Sequence, residues 1–402
     1  MVKLNSPLMG GLQTRGANRD DLRQGNLATL LEYVYINATI SRSDLTAATG
    51  LNRSTISDLV GELVELKLVS ESESPQVGRV GRPSVNVSIS DSIYAITVVP
   101  RHHSTTVSAV AMNGTVASRV RIATPIHPSP EEVCDAVEQG IAQVRVELKR
   151  GSRLVGVAVV VSGQVDVRNN SVRICSMLKW VDVPFGSLLE ARLKMPVWVD
   201  NDGSLACMAE SSFGAGRGFS DIIYLFGGAG GIGGGVVIDN QLVRGSRGYA
   251  GELGHIRIAD SKLVDSLGLA GTLEALVNRD DLANALGLDD PEDEDLSHAI
   301  LSATTPRASR LIEKKIQALG FALASLVNIF NPQVILLSGF LQPLFQANDY
   351  SLLSKMRQNA VAGSREHVQI RTTELGGRIL EIGAAQLAFS DLIADPARAK
   401  FY

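Results

Sequence analysis

At Asp91 the hydrophobic pattern of the chain changes period, and this change constrains its architecture more than any other feature. Before it, apolar residues recur every three or four positions in short blocks. After it, short apolar runs alternate with longer blocks of helical spacing, the pattern of an α/β body. At 402 residues the chain is longer than one compact domain usually is, so the expected division is a small domain over 1–90 and a larger one over 91–402.

In the first ninety residues, Leu27, Leu30, Leu31, Val34 and Tyr35 predict an amphipathic helix running from Leu22 to about Asn37. Ser41, with Asp44 three positions on, matches an N-cap. A short second helix follows, with Leu45 and Ala48 facing inward and Gly50 ending it. Asn52 caps a third helix reaching Leu66, whose buried stripe is expected to be Ile56, Leu59, Val60, Leu63, Val64 and Leu66. A short helix, a glycine turn and a helix that opens on small polar residues make a helix-turn-helix, whose second helix enters the major groove by its N-terminal residues. The candidate DNA contacts there are Ser43, Asn52, Arg53, Ser54, Thr55 and Ser57. Stripes and caps alone also suit any small helical bundle. The hairpin that follows favours the DNA reading: Leu66 to Glu71 and the alternating Val85, Val87 and Ile89 flank a glycine-rich tip. In that tip Arg79, Gly81, Arg82 and Pro83 place two arginines on slim backbone suited to a narrow minor groove.

Charge alone does not mark a nucleic-acid binder. The formal net charge is −4, and residues 1–90 carry nine Lys/Arg against nine Asp/Glu, so any grip on DNA must come from local placement. Three scattered cysteines, Cys134, Cys175 and Cys207, have no metal-site spacing and read as buried, reduced thiols of a cytoplasmic protein. Residues Met1 to Gly16 carry no basic-then-apolar leader, and the longest apolar stretch, Phe321 to Leu337, is broken by Asn328, Asn331 and Pro332. Neither export nor a membrane span is expected.

In the body, strands are predicted at Ile93–Val99, Thr106–Met112, Leu154–Val161, Val197–Val199, Ile222–Phe226, Gly235–Ile238 and Val334–Leu337. Helices are predicted at Pro130–Lys149, Phe185–Leu193, Gly203–Ser212 and Ala308–Ile329, and the acidic run from Asp280 to Asp295 reads as a solvated loop or helix end. Three constellations have chemical potential. Asn201 and Asp202 stand where a strand runs into a helix, suited either to sugar hydroxyls or to capping the helix. The glycines from Gly227 to Gly235 suit either a phosphate cradle or close approach of another segment. Glu252, His255 and Glu274 are natural partners for hydroxyl groups, and each is equally compatible with a structural role.

In this order the motifs resemble the ROK family of repressors and sugar kinases, and within it the regulators of sugar genes. The likeness runs through Val161 to Asp166, Trp180, Asp200 to Asp202, Gly230 to Gly235, Ala250 to His255, Glu274 and Pro332 to Gly339. It implies an N-terminal all-α winged helix-turn-helix and a C-terminal two-lobed α/β body of actin-like, ribonuclease-H-like sugar kinase fold. Its lobes would be 91–198 with the C-terminal helix, and 199–380. It also implies a sugar site at Asn201, Asp202, Glu252, His255 and Glu274.

Three departures from the family separate a sensor from a kinase. The family's first phosphate loop, Asp-x-Gly-x-Thr, is matched by Ala95 to Arg101, which lacks both the Asp and the Gly; Gly230 replaces a Thr in the second loop; and Phe340 replaces a glycine near the adenosine. No ATP and no catalytic residue are therefore expected, although Asp202 matches the kinase base. The family's zinc motif is matched by Asp265 to Thr272, without any thiolate, so no metal is expected. Met177, where relatives have Asn, points to a less polar or modified sugar. The expected whole is a dimer or tetramer on a pseudo-palindromic double-stranded DNA operator, released by a sugar effector acting on the two lobes. The competing expectations are a sugar kinase with an accessory DNA head and a body that only dimerises.

Overall fold

The computed structural model describes residues 19–73 and 85–402. The tip residues Arg79, Gly81, Arg82 and Pro83 therefore lie outside the described residues. Two compact units are present: the first gathers the chain up to Asp200 with Leu380–Tyr402, and the second is Asn201–Ile379.

The first unit opens with α1 (Arg19–Asn37), β1 (Thr39–Ser41), α2 (Arg42–Thr49), α3 (Arg53–Glu65), β2 (Val69–Glu73) and β3 (Val85–Ile89). The caps are local chemistry. Ser41 Oγ accepts the Asp44 amide at 3.0 Å, Gly50 ends α2 in the left-handed region at φ 72°, and Asn52 Oδ1 accepts the Thr55 amide at 2.9 Å. Leu27, Leu30, Leu31, Val34, Leu45, Ile56, Leu59, Val60 and Leu63 close the core between the helices. Two inward assignments fail. Ala48 is exposed, because α2 has barely two turns and Leu45 fills its inward position; Val64 is 37% exposed, one residue past Leu63 and so about 100° round the helix. Leu66, the C-cap, is only half-buried. A three-stranded sheet in the order β1-β3-β2 completes the head; β1, of three residues, is too short for its alternation to be read in advance.

The same unit continues with β4 (Ile93–Arg101), β5 (Ser104–Ala111), β6 (Val116–Ala123), α4 (Pro130–Glu147), β7 (Arg153–Val161), β8 (Gln164–Asp166), β9 (Ser171–Cys175), β10 (Trp180–Val183), α5 (Phe185–Leu193) and β11 (Val197–Asn201). Its main sheet runs β11-β7-β4-β5-β6, with β4 and β7 parallel, and a smaller sheet runs β10-β9-β8. A capping box between Ser129 and Glu132, with Pro130 in the first turn, starts α4, whose Val133, Val137, Ile141 and Val144 join the sheet core.

The second unit begins with α6 (Asp202–Phe213) and builds a sheet from β12 (Ile222–Gly228), β13 (Gly231–Ile238), β14 (Gln241–Leu242), β15 (Val334–Gly339) and β16 (Gln369–Thr372), in the order β14-β13-β12-β15-β16. Its helices are α7 (Leu273–Leu276), α8 (Arg279–Leu286), α9 (Asp293–Leu301), α10 (Pro306–Phe330), α11 (Leu341–Ala347), α12 (Asp349–Asn359) and α13 (Ala362–Arg365). Helix α10 starts at the Thr305 cap and Pro306 and stops where Asn331 turns left-handed before Pro332. No helix among the described residues is long and apolar enough to cross a membrane. The acidic run resolves into first turns: Asp280 and Asp281 begin α8, and Asp293, Glu294 and Asp295 begin α9, where negative charge complements the helix dipole.

The chain returns to the first unit in α14 (Ile379–Ala394), where Phe389 meets the Tyr35 ring edge-on at 6.0 Å between centroids. Buried Glu381 pairs with Arg119 at 2.5 Å and accepts from the Ser108 hydroxyl at 3.2 Å. All three cysteines are free and buried, and burial pushes the Cys134 thiol up to about 11, which removes it from thiolate chemistry near neutral pH.

Candidate functional site

Three elements of the second unit that pack on β13, namely α6, the 3-10 turn Leu253–His255 and α7, carry Asp202, His255 and Glu274, and Asn201 and Glu252 immediately precede the first two. Glycine makes that packing possible. A Cβ on Gly203 would lie 2.4 Å from the Gly234 carbonyl oxygen, one on Gly235 2.6 Å from Cys207 Cβ, and one on Gly254 1.9 Å from the Ile232 carbonyl oxygen. Between Gly227 and Gly235 the chain is a β12–β13 hairpin, paired from Ile222–Val237 to Gly228–Gly231, and not a loop. Strand β13 thus begins at Gly231 instead of Gly235. Gly234 and Gly235 admit close neighbours, as the reading of close approach expects, while Gly230 and Gly233 have open space where a Cβ would sit.

Asn201 caps α6, its side chain accepting the Ser204 amide at 3.1 Å, and Asp202 Oδ1 accepts the Gly203 amide at 2.8 Å. Both are half-buried. Glu252 precedes the 3-10 turn, and its carboxylate stands 3.9 Å from His255 Nε2. Buried Glu274 is committed to backbone: one oxygen takes the Ile232 amide and the other the Ser266 amide, each at 2.8 Å. A Cβ on Gly231, whose φ is +119°, would come within 2.0 Å of that carboxylate.

Asp265 is the residue whose part in the site reasoning from sequence missed. Its Oδ2 faces His255 Nδ1 at 2.8 Å and accepts the Thr272 hydroxyl at 2.9 Å, while Oδ1 accepts the amides of Leu267 and Leu269 at 3.0 and 2.9 Å. Burial acts to raise its pKa, but the bonds from His255, Leu269, Thr272 and Leu267 outweigh this and hold the carboxyl below its ordinary value. A carboxylate only accepts, so the His255 proton sits on Nδ1 and, in the neutral ring, Nε2 carries the lone pair. The available signal was an Asp two residues before an amide it can bond, the Asx-turn pattern.

Residues suggested for a nucleotide stand differently. Strand β4 pairs with β5 from Tyr94–Ala111 to Arg101–Ser104, an unbroken edge-to-edge ladder where the family motif would place an Asp and a Gly. The Phe340 ring does not project outward; it is 3% exposed, within 2.6 Å of where a Gly227 Cβ would sit, and part of the second unit's core. Met177 is half-buried in the first unit, its carbonyl 2.9 Å from His127 Nδ1.

In the head, Arg53 and Ser54 are exposed at the start of α3 and Thr55 is half-buried there. Asn52 is engaged as the cap and also accepts the Ser54 hydroxyl at 2.6 Å; Ser57 accepts from Arg42 at 3.1 Å; Ser43 shares a hydroxyl contact of 2.7 Å with Ser41. The other end of α3 has a partner absent from any local motif. Arg153, at the start of β7, donates to the carbonyls of Leu66 and Lys67 at 3.1 and 2.5 Å and lies 4.2 Å from the centre of the Phe401 ring. It thus supplies charge-assisted bonds to the carbonyls that a helix leaves unmade at its C-terminus. Arg153→Ala is expected to speed amide exchange around Leu66 to Leu68 by roughly tenfold or more, the loss of charged-donor bonds, with Arg153→Lys restoring little because one ammonium does not match the planar fork. Hydrogen-exchange mass spectrometry measures this directly.

Comparison with known proteins places these features together. The ROK family model matches residues 102–390, and the MarR family model matches 28–80. A protein named xylose repressor from Caldicellulosiruptor bescii is 27% identical over 404 residues, spanning 94% of this chain and 99% of that protein. A glucokinase from Streptomyces coelicolor is 28% identical over 295 residues, 68% of this chain and 91% of the enzyme. A solved ROK family transcriptional regulator, described as a homolog of E. coli MLC protein, superposes with a TM-score of 0.76 at 21% identity, over 93% of this chain and 98% of that one.

Proposed function

The chain belongs to the ROK family, and on that premise we propose that it is a cytoplasmic transcriptional repressor of carbohydrate genes, which leaves its DNA operator when a sugar or sugar derivative binds the body. The observation that carries this reading is that a capped helix-turn-helix precedes the family's body in one chain, over nearly the full length of a protein named xylose repressor. Arg53, Ser54 and Thr55 would meet base edges, with Ser43, Asn52 and Ser57 beside them and Arg79, Gly81, Arg82 and Pro83 in the minor groove. Two copies, as a dimer or within a tetramer, would match a pseudo-palindromic site. Asn201, Asp202, Glu252, His255 and Glu274 would hold the sugar, with Glu274 acting in part through the backbone it fixes. Regulation requires that the sugar bind the DNA-free state more tightly than the DNA-bound one, since equal affinity would shift nothing.

Phosphoryl transfer is not part of this proposal. Positioned phosphates are the substance of such catalysis, and β4 offers neither the Asp nor the Gly of the family's first phosphate motif. The kinase reading draws support from Asp202 at the start of α6 and from the glucokinase likeness, so the experiment must separate the two. The purified protein is screened by thermal shift against pentoses, hexoses, amino sugars and their phosphates, with and without ATP. A sugar at a hundredfold excess over its Kd adds about 2.7 kcal/mol to the stability of the state it binds. The expected result is a shift by one sugar without ATP, and release by that sugar of fluorescent DNA from upstream of the protein's own gene. ADP formation in a coupled assay with the same sugar would establish the kinase instead. The absence of a shift from every sugar would leave a body that only dimerises.

A further inference from the structure

The zinc motif of the family is replaced in this chain by Asp265 to Thr272, without thiolates, and the residues present do not fit a zinc ion. His255, Asp265 and Glu274 each offer a ligand atom within 4.8 Å of the others. Yet His255 Nδ1 and Asp265 Oδ2 are already hydrogen-bonded to each other, and both Glu274 oxygens receive backbone amides. A closed structural zinc site needs four ligands with their lone pairs directed at the metal, commonly thiolates.

We propose that Asp265 takes the organising place of a metal ion: its carboxylate gathers the loop from Leu263 to Thr272 and sets both the orientation and the tautomer of His255. The two oxygens divide the work. Oδ1 gathers the amides of Leu267 and Leu269, which closes the loop on itself; Oδ2 gathers the Thr272 hydroxyl at the start of α7 and the His255 ring. The Asp265 backbone joins in, its amide donating to the Leu269 carbonyl and its carbonyl accepting the Gly268 amide, both at 3.0 Å. A second carboxylate braces the loop from below, Glu274 tying Ser266 to Ile232 of β13. Leu263, Val264, Leu267 and Leu269 are all about half exposed, so apolar burial contributes little to the loop's order and the carboxylate bonds carry it. A ring bonded to metal through Nδ1 presents Nε2–H as a donor, whereas a neutral ring donating Nδ1–H to Asp265 presents Nε2 as an acceptor. His255 in this chain therefore selects a donor on its ligand, and Asp265 is the positioning residue that makes it so. This last step rests on the reading of His255 as a sugar-site residue; the loop and the tautomer do not.

The test uses the full-length protein with labelled histidine. Nitrogen-15 NMR of the ring, assigned by loss of the signal in His255→Gln, is expected to show the Nδ1–H tautomer in the wild type. Asp265→Asn keeps an amide oxygen for Leu267 and Leu269 but turns an NH2 toward the ring, and is expected to invert the tautomer to Nε2–H with the loop still protected. Asp265→Ala is expected to speed exchange of the Leu267 and Leu269 amides about tenfold or more. EDTA is expected to leave the wild-type melting temperature unchanged, and elemental analysis to find no stoichiometric zinc. Stoichiometric zinc, an EDTA-sensitive melt, an Nε2–H ring in the wild type or unchanged exchange in Asp265→Ala would each overturn the proposal. If these results hold while no sugar in the thermal screen shifts the wild type, the sugar-site reading fails and the metal-free organisation of the loop stands.

Discussion

Gly254→Ala is expected to destabilise the second unit strongly. The added Cβ would sit 1.9 Å from the Ile232 carbonyl oxygen, 2.9 Å from its carbon and 3.1 Å from the Ile232 Cβ. None of these is the free end of a flexible chain: Ile232 belongs to β13, is locked to Gly227 of β12, and gives its amide to Glu274. Relief therefore requires the 3-10 turn to lift off the strand, which would open the contact between buried Leu253 and Gly234 and move His255 with it. Ordinary overpacking in a core costs about 1–3 kcal/mol. Here rigid backbone meets the new atom, so a cost above about 3 kcal/mol is expected, a large share of the roughly 5–15 kcal/mol that a domain has in total. Gly363→Ala is the matched control, since nothing lies within 4 Å of that position, and it should leave the melting temperature nearly unchanged. Chemical unfolding followed by hydrogen exchange within residues 201–379 reads the effect; an unchanged second unit in Gly254→Ala would mean that the turn and strand are not held as described.

That prediction also marks where sequence stops being legible. Caps are local, and Ser41 and Asn52 announce themselves because donor and acceptor lie three residues apart. Helical stripes are nearly as plain, failing only at Ala48 and Val64, where a short element or a stripe's edge leaves the facing direction to tertiary contacts. Strands β6, β8, β9, β10, β14 and β16 leave no such pattern, being short, half exposed or at a sheet edge, where one face or none needs apolar residues. The glycine run is ambiguous for a different reason. Glycine records that something approaches, and whether that is a phosphate or a carbonyl depends on chain folded from elsewhere: Gly203, Gly251 and Gly254 come to β13 from distant parts of the sequence only in three dimensions. Arg153 is the extreme case, capping a helix 87 residues earlier with no local trace. The five candidate sugar residues are legible as a set through family resemblance, but not their unequal geometry, in which Glu274 is bound up with backbone and His255 is held from behind by Asp265.

Asp202→Ala is expected to abolish the response to sugar and to spare DNA binding in its absence. The side chain is half-buried at the first residue of α6. Its hydrogen bond to the Gly203 amide is of the kind that a helix start tolerates losing, because Asn201 already caps the turn through Ser204. The structural cost should therefore stay near about 1 kcal/mol, the size of a cap contribution. The binding cost is larger. A carboxylate holding sugar hydroxyls contributes about 1.5–3 kcal/mol for each bond, so its removal should weaken the sugar by at least about tenfold where one bond is lost and by about a hundredfold or more where two are. Since α3 and its contacts belong to the other unit, DNA affinity without sugar should match the wild type within the error of an anisotropy titration. The two readouts are independent, and this gives the experiment its force: loss of the sugar shift with intact DNA binding identifies Asp202 as a ligand contact, whereas loss of both would make it a residue that holds α6 on β13, and retention of both would move the sugar site away from the start of α6.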